Sequence, residues 1–588
     1  MEKAIHKPAE AHKKLGEWFA TAICGNDILS SSLYVSGIAI IFAGIWAPVV
    51  LIFIGFVLFL YKMVYTEVVE ALPVNGGAYN CLLNGTSKTI AAIAGITTFL
   101  SYVATAVISA KVGVEYLSTI LPFSTAIIPA TIALLFLFAI LVISGIKDSA
   151  KVALGIFIFH VVSLTLFLAF GVYHYFAAGA ATFWFNFQHT GEIISRQGGF
   201  MPALYLAFAA SLLGVSGFES SANFVEEQQP GVFRKTLRNM LTGVAIFNPL
   251  ITLAVLNSLP LDSIASAKDF LLADAARAIG GQGFAYLIAI DAFLVLSGAV
   301  LTSYVGVSGL LNRMAGDNCL PMMLRKENKK GSFPRIVLLF FILCSSILIL
   351  TGGNLLSLAG VYTIAFLSVM SLFAIGNLIL KEARSELKRT YKAPVIVVIM
   401  AFVATFFGIL GNIRIDEQNL IFFELYFIPA LLLVLGVIYK DKIIKFALRA
   451  SRRFPPLYNY IQHQFNDITL GKFVVFIRRP ERLYTVLDYI NRNETGWNIT
   501  LVTCQDISNG DPKKSYHEIA EILPALREAG VFPHFTINLI YKNKPFSPQV
   551  IEEVAKELQV HTNRIFIGSI HMEHEFDYDA LGGVRIIL

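Results

Sequence analysis

Charge is scarce in this chain. Asp, Glu, Lys and Arg make up only 15% of its 588 residues, against 56% hydrophobic residues, and the mean hydropathy is +0.67. No water-soluble domain of this length hides so much apolar surface, so lipid is the solvent for most of it. Cysteine is scarce too. Cys24, Cys81, Cys319, Cys344 and Cys504 show neither the pairing of a disulfide scaffold nor metal-ligand spacing, and they read as small packing residues. The net charge of +6 is too small and too scattered for a nucleic-acid footprint, which excludes that class of partner. A nucleophile, base and oxyanion constellation is also missing, so no enzyme is expected.

What is present is a series of apolar runs, each of about 20 residues or more, the length that spans a bilayer. They fall near 18–43, 46–71, 89–119, 125–145, 149–176 and 200–225, then near 236–259, 283–311, 335–351, 354–380, 393–412 and 421–439. About twelve spans is the simplest count. Residues 1–17 are polar and carry Lys3, Lys7, Lys13 and Lys14. The apolar stretch behind them far exceeds a signal-peptide core of roughly 7 to 15 residues, so the first helix is expected to stay. Basic residues crowd the loops after the even-numbered spans, at Lys147 and Lys151, at Arg234, Lys235 and Arg238, at Arg313 to Arg335, and at Lys381 to Lys392. Those loops, and both chain ends, are expected in the cytoplasm of a cell whose cytoplasmic membrane holds the protein.

The transport domain is placed at 18–440 and followed by a basic, aromatic linker at 441–471. There Phe446, Leu448, Phe454 and Leu457 alternate with Lys442, Lys445, Arg449, Arg452 and Arg453. Such a segment suits an anionic inner leaflet, a plain helical linker being the other reading. In 472–588 apolar runs (473–477, 499–502, 535–540, 564–567, 584–588) alternate with helical stretches (481–491, 516–529, 548–558). That alternation predicts a small parallel α/β domain. The fold class is thus an all-α polytopic membrane protein with a small cytoplasmic α/β domain.

Polar residues inside the spans carry the chemistry. The first span contains Gly25-Asn26-Asp27-Ile28-Leu29-Ser30-Ser31-Ser32. A carboxylate is costly within hydrocarbon and marks an ion or substrate path, and Gly and Asn beside serines favour an unwound stretch whose freed carbonyls coordinate a ligand. Tyr34 stands two helical turns beyond Asp27. In the third span Tyr102, Thr105 and Ser109 form a hydroxyl stripe, an arrangement that also glues membrane helices together. Lys111 and Glu115, one turn apart farther along, pair with each other or snorkel. The sixth span holds Gly214-Val215-Ser216-Gly217-Phe218-Glu219-Ser220-Ser221. Interrupted helices in the first and sixth spans have the separation of a five-plus-five inverted repeat with one shared site.

Asp27 to Tyr34 reads D-I-L-S-S-S-L-Y, which resembles the D-I-G-T-S-P-L-Y of KUP-type potassium symporters and the D-x-L-S-S-x-x-Y of KimA-type potassium importers. Ser216-Gly217-Phe218-Glu219 is similar to their T-G-x-E, and Tyr102, Thr105 and Ser109 match their Y-x-x-T-x-x-x-S. More widely, Pro73-Val74-Asn75-Gly76-Gly77-Ala78-Tyr79 resembles the P-x-x-G-G-x-Y element of the amino acid, polyamine and organocation superfamily, and Gly145 to Lys151 resembles the lead into its fifth span. The resemblance covers the whole transport domain and implies alternating access. The tail resembles the universal-stress-like domain of KimA-type importers, which implies a homodimer formed through it and a regulatory role.

Substrate class has to be argued from the site. A bound amino acid carries its own carboxylate, which related permeases hold with backbone N–H groups at a Gly-Ser-Gly break. This chain puts Asp27 there, which repels such a group. A cation with oxygen ligands fits better, held by Asp27 and Glu219, by the hydroxyls of Tyr34, Tyr102, Thr105, Ser109 and Ser216, and by freed carbonyls. K+ with H+ is the expected pair. KimA-type sites use a tenth-span tyrosine where this chain aligns Ala359, with Tyr362 one turn away, so a cationic amino acid or polyamine stays open. For proton coupling Glu219 comes first, since a buried carboxyl exchanges between charged and neutral forms. His160 comes second, at the fifth-span position where many permeases of the superfamily place a lysine. Asp291, in the eighth span, is a further acid without a motif.

No cofactor is expected in the bundle. On the tail an adenine nucleotide is the candidate, with Arg478 and Arg479 as regulatory phosphate contacts, although these replace the Asp that such domains carry after the first strand. Gly568-Ser569 with Gly582-Gly583 also falls short of the G-x-x-G…G-[ST] pattern. A membrane-tethered sensor whose bundle no longer transports is the rival from another class.

Overall fold

Long unbroken apolar sequence becomes long helix, because within lipid only a helix satisfies its own backbone. The computed structural model describes residues 14–121, 126–145, 150–385, 387–451, 472–494, 496–505, 511–568 and 584–587. Lys3, Lys7, Lys13, the 146–149 part of the fifth-span lead, Phe454, Leu457, Ser569 and Gly582-Gly583 lie outside these residues. The first span is α1 (Glu17–Ser30) and α2 (Ser32–Ala43), followed by α3 (Ala47–Ala71), the short α4 (Gly77–Gly85), α5 (Lys88–Ser118), α6 (Ile127–Ile143) and α7 (Ala150–Ala178). Then come α8 (Ala181–Arg196), α9 (Phe200–Ser211), α10 (Val232–Ser258), α11 (Leu261–Ser266) and α12 (Leu271–Gly316). The bundle ends with α13 (Pro334–Leu350), α14 (Leu355–Ala383), α15 (Val395–Ile415) and α16 (Glu417–Ile438).

Nine described segments are long and apolar enough to cross a membrane. The first of them, Glu17–Ala71, would run to roughly 80 Å as one helix. It is broken at Gly44, whose φ of +54° is left-handed, and so supplies two spans. The shorter apolar helices Ile127–Ile143 and Pro334–Leu350 bring the total to the expected number. The outer surface is apolar, with Phe53 and Phe56 on α3, Ile396 on α15 and Leu432 on α16 all exposed. A surface of that kind needs lipid against it.

Loop cations are anchored by acids at helix ends. Glu67 on α3 accepts from Lys381 Nζ (2.5 Å) and Arg389 Nη1 (3.0 Å), which fixes the connection between α14 and α15. Lys111 pairs with Glu115 at 3.2 Å, as expected from their spacing, and also with Asp269. The chain continues from α16 into α17 (Lys440–Ala450), an amphipathic basic helix that exposes Ile443 and Phe446.

The tail is a parallel five-stranded sheet of order β3-β2-β1-β4-β5. Its strands are β1 (Lys472–Phe476), β2 (Asn498–Cys504), β3 (Thr536–Lys542), β4 (Ile565–Ile567) and β5 (Arg585–Ile586). They alternate with α18 (Leu483–Asn493), α19 (Lys514–Glu528) and α20 (Pro548–Glu557). Central strands buried on both faces read as continuous apolar runs, and every predicted strand and helix of this domain falls within a few residues of its place. Arg478 and Arg479 follow β1 and are exposed.

Candidate functional site

The two interrupted spans meet. In the sixth, α9 ends at Ser211, a tight 3-10 turn covers Leu212–Val215, Ser216 is extended (φ −59°, ψ 147°), and a second turn covers Glu219–Asn223. Gly217 lies between them with φ +88°, a left-handed conformation that favours glycine. The first span is less unwound than the sequence suggests. Within the 25–32 patch the ladder is disturbed at Ser31, which keeps near-helical angles (φ −62°, ψ −25°), and α1 runs unbroken through Asp27. The reason lies in the three serines. Ser30, Ser31 and Ser32 each donate to the carbonyl three residues back, of Asp27, Ile28 and Leu29, at 2.7, 2.6 and 2.8 Å. These hydroxyls satisfy the carbonyls expected to be free. Ser31 Oγ also reaches Gly214 O at 3.1 Å, joining one break to the other.

Both carboxylates close on Gly217. Its N–H donates to Glu219 Oε2 at 3.0 Å, and a Cβ added there would stand 2.7 Å from Asp27 Cγ. Ser220 Oγ donates to Asp27 Oδ2 at 3.0 Å, and Ser101 Oγ on α5 donates to Glu219 Oε1 at 3.0 Å. Asp27 and Glu219 are buried. Tyr34 and Tyr362 both lie within hydrogen-bonding reach of Ser216, and all three side chains are buried. Tyr362 stands one turn beyond Ala359 on α14.

Of the third-span stripe, Tyr102 joins the site. Its hydroxyl accepts from Asn223 Nδ2 at 2.8 Å and presses on Gly306 of α12, where a Cβ would come within 2.7 Å of it. Thr105 turns its hydroxyl to Ser101 O of its own helix at 2.8 Å, and Ser109 is buried two turns farther along α5. Ser101, Ser220 and Asn223 escaped the sequence reading. The only signal for Ser101 was its place one residue before Tyr102.

His160 of α7 sits apart from the carboxylate pair. Its Nδ1 is 2.7 Å from Asp291 Oδ2 of α12, and its Nε2 is 3.3 Å from Leu29 O at the first-span break. Asp291, which carried no motif, is therefore the histidine's partner. The ring meets an acceptor at each nitrogen and so has a place for a proton at either.

This geometry concentrates oxygen donors and two carboxylates between helices whose backbone is already interrupted, an arrangement that binds cations or hands protons on. Among known proteins, the potassium transporter KimA of Bacillus subtilis is 23% identical over 376 residues, which cover 62% of this chain and 61% of that protein's length. A crystal structure of a manganese transporter mutant from Eremococcus coleocola superposes with a TM-score of 0.45 at 13% identity, over 74% of this chain and 96% of that one. Residues 15–435 match the profile of the amino acid permease family. That stretch takes in nearly the whole bundle, and the chain belongs to this family, as a multi-pass membrane transporter of the amino acid, polyamine and organocation superfamily.

Proposed function

We propose that the protein imports potassium together with protons by alternating access, with both chain ends in the cytoplasm. The observation that supports this is the convergence of Asp27 and Glu219 on Gly217, with the hydroxyls of Ser101, Ser216, Ser220, Tyr34, Tyr102 and Tyr362 about them. Two acids without a basic side chain among the groups named repel an anionic cargo, and a desolvated monovalent cation takes oxygen ligands of this kind. Glu219, tied to the sixth-span break through Gly217 and to α5 through Ser101, is the first choice for the proton, and His160 with Asp291 the second. Thr105 and Ser109 would enter only in another state of the cycle. The similarity to KimA agrees with a potassium cargo. On the tail, Arg478 and Arg479 are the proposed phosphate contacts.

A second reading, a protonated amine such as a cationic amino acid or polyamine, is favoured by the amino acid permease match. Purified protein in vesicles separates the two. Uptake of rubidium driven by an inward proton gradient, lost in Asp27→Asn and in Glu219→Gln, is the expected result. Uptake of labelled lysine, arginine or putrescine in its place assigns the amine, and rubidium uptake that survives both substitutions removes the carboxylates from the mechanism.

A further inference from the structure

Where the α/β domain meets the bundle, charged groups are packed out of water. Arg585 on β5 donates from Nε to Asp317 Oδ1 at 3.0 Å and from Nη2 to Glu494 Oε1 at 2.6 Å, and its guanidinium lies 4.4 Å from the centre of the Phe566 ring. Lys88, the first residue of α5, pairs with Glu494, while its backbone N–H donates to Asn493 Oδ1 at 2.8 Å. Asp317 closes α12, and its other oxygen accepts from Tyr79 Oη at 2.8 Å. Lys88, Asp317 and Arg585 are buried, and the Glu494 side chain is only 4% exposed. Burial alone would raise the Glu494 carboxyl, yet Arg585 and Lys88 beside it hold its pKa below the usual value of 4.5. Taking one member from a buried set strands the others without water, which makes the seam hold or fail as a unit.

The bundle side of this seam continues into hydrogen bonds that tie the segment ahead of α4 to residues 225–229. Tyr79 lies in the first turn of α4, which follows directly on the turn at 73–76. In that turn Asn75 Oδ1 accepts the N–H groups of Val225 and Glu226 at 2.7 and 3.0 Å, and Asn75 N donates to Glu226 Oε1 at 2.9 Å. Arg313, one turn before Asp317, donates to Asn75 O at 3.0 Å. Leu15, ahead of α1, is hydrogen-bonded to Glu227 and Gln229. Residues 225–229 follow directly on the turn that carries Glu219.

We propose that the C-terminal domain is a latch on this gate. Seated, Arg585 and Glu494 hold Asp317, Tyr79 and Lys88, and through them keep the turn at 73–76 clamped on 225–229, so the way from the tail side to Asp27 and Glu219 is shut. Unseated, the domain releases the turn and the gate swings open more readily. The latch does not depend on which cation is carried.

Two native cysteines report the two halves of this statement. Cys319 is buried in the seam, 3.6 Å from Tyr79 Oη, and Cys24 is buried on α1, one turn before Asp27 on the Leu15 side. Full-length protein in detergent is treated with a small methanethiosulfonate, and each cysteine is read by peptide mass. Arg585→Met is expected to speed modification of Cys319 and of Cys24 by at least about tenfold, since a buried pair is broken. Arg492→Gln, which removes an exposed pair with Asp488 on the same domain, is expected to change neither. Faster Cys319 with unchanged Cys24 overturns the latch, leaving a docking contact alone. No change at either cysteine overturns it as well. Cys344, buried in α13, reports general unfolding. Should it react faster in Arg585→Met, the same criteria are applied to Glu494→Gln, which keeps the side chain's shape.

Discussion

His160 Nδ1 and Asp291 Oδ2 lie 2.7 Å apart, both side chains fully buried, with the other ring nitrogen turned to Leu29 O. A histidine and a carboxyl group hydrogen-bonded this far from water stabilise the bundle only while both are present. Removing His160 alone, as in His160→Leu, is expected to cost about 3 to 5 kcal/mol by stranding Asp291. The double variant with Asp291→Leu is expected to recover much of that. Unfolding of the four proteins of this cycle in mixed micelles measures it, and additive losses would show that the pair is not coupled.

Gly217 offers a steric test. At φ +88°, with a Cβ only 2.7 Å from Asp27 Cγ, alanine there suffers both backbone strain and a clash with a proposed ligand. Gly231 is matched in conformation (φ +80°) but has nothing within 4 Å. Gly231→Ala is therefore expected to cost the left-handed strain alone, about 1 to 2 kcal/mol, and to leave rubidium uptake near wild type, whereas Gly217→Ala abolishes it. Equal uptake by the two variants would mean that Asp27 does not need its place.

How much of this was legible in sequence follows from the range of each interaction. Spans and strands are written locally, in apolar runs and their punctuation, and all of them appeared where expected. Asp27 and Glu219 were legible because a carboxylate in hydrocarbon demands an explanation. How little the first span unwinds was not, since Gly25 to Ser32 reads as a weak patch until the serine hydroxyls are seen bonding back to their own helix. Ser101 and Ser220 are ordinary in bilayer helices and gain meaning only from partners 118 and 193 residues away. Arg585 and Asp317, 268 residues apart, meet through a domain contact that no local pattern encodes.

The seam has a pH dependence whose sign is fixed. Glu494 is held below its ordinary pKa of 4.5 by Arg585 and Lys88, against the opposing effect of burial. A carboxyl depressed on folding adds stability that is fully present above its unfolded pKa and is lost as pH falls through the folded one. The difference in melting temperature between wild type and Glu494→Gln is thus expected to be flat from neutral pH down to about 5 and to shrink below about 4.5. A difference that grows on acidification would contradict the ion pair.

Tyr362 carries the last expectation. Its hydroxyl is buried within hydrogen-bonding reach of Ser216, so both oxygens stand where a passenger could be shared between them. A phenol oxygen binding a cation contributes on the scale of a hydrogen bond to a charged group, about 1.5 to 3 kcal/mol, so Tyr362→Phe should raise the half-saturating rubidium concentration roughly ten- to hundredfold. Because phenylalanine keeps the ring that packs on Phe366 at 5.4 Å, the fold and the maximal rate are expected to stay close to wild type. If affinity were unchanged or improved, Tyr362 would be core packing, and the cation would have to find its ligands among Asp27, Glu219 and the α5 side of the site.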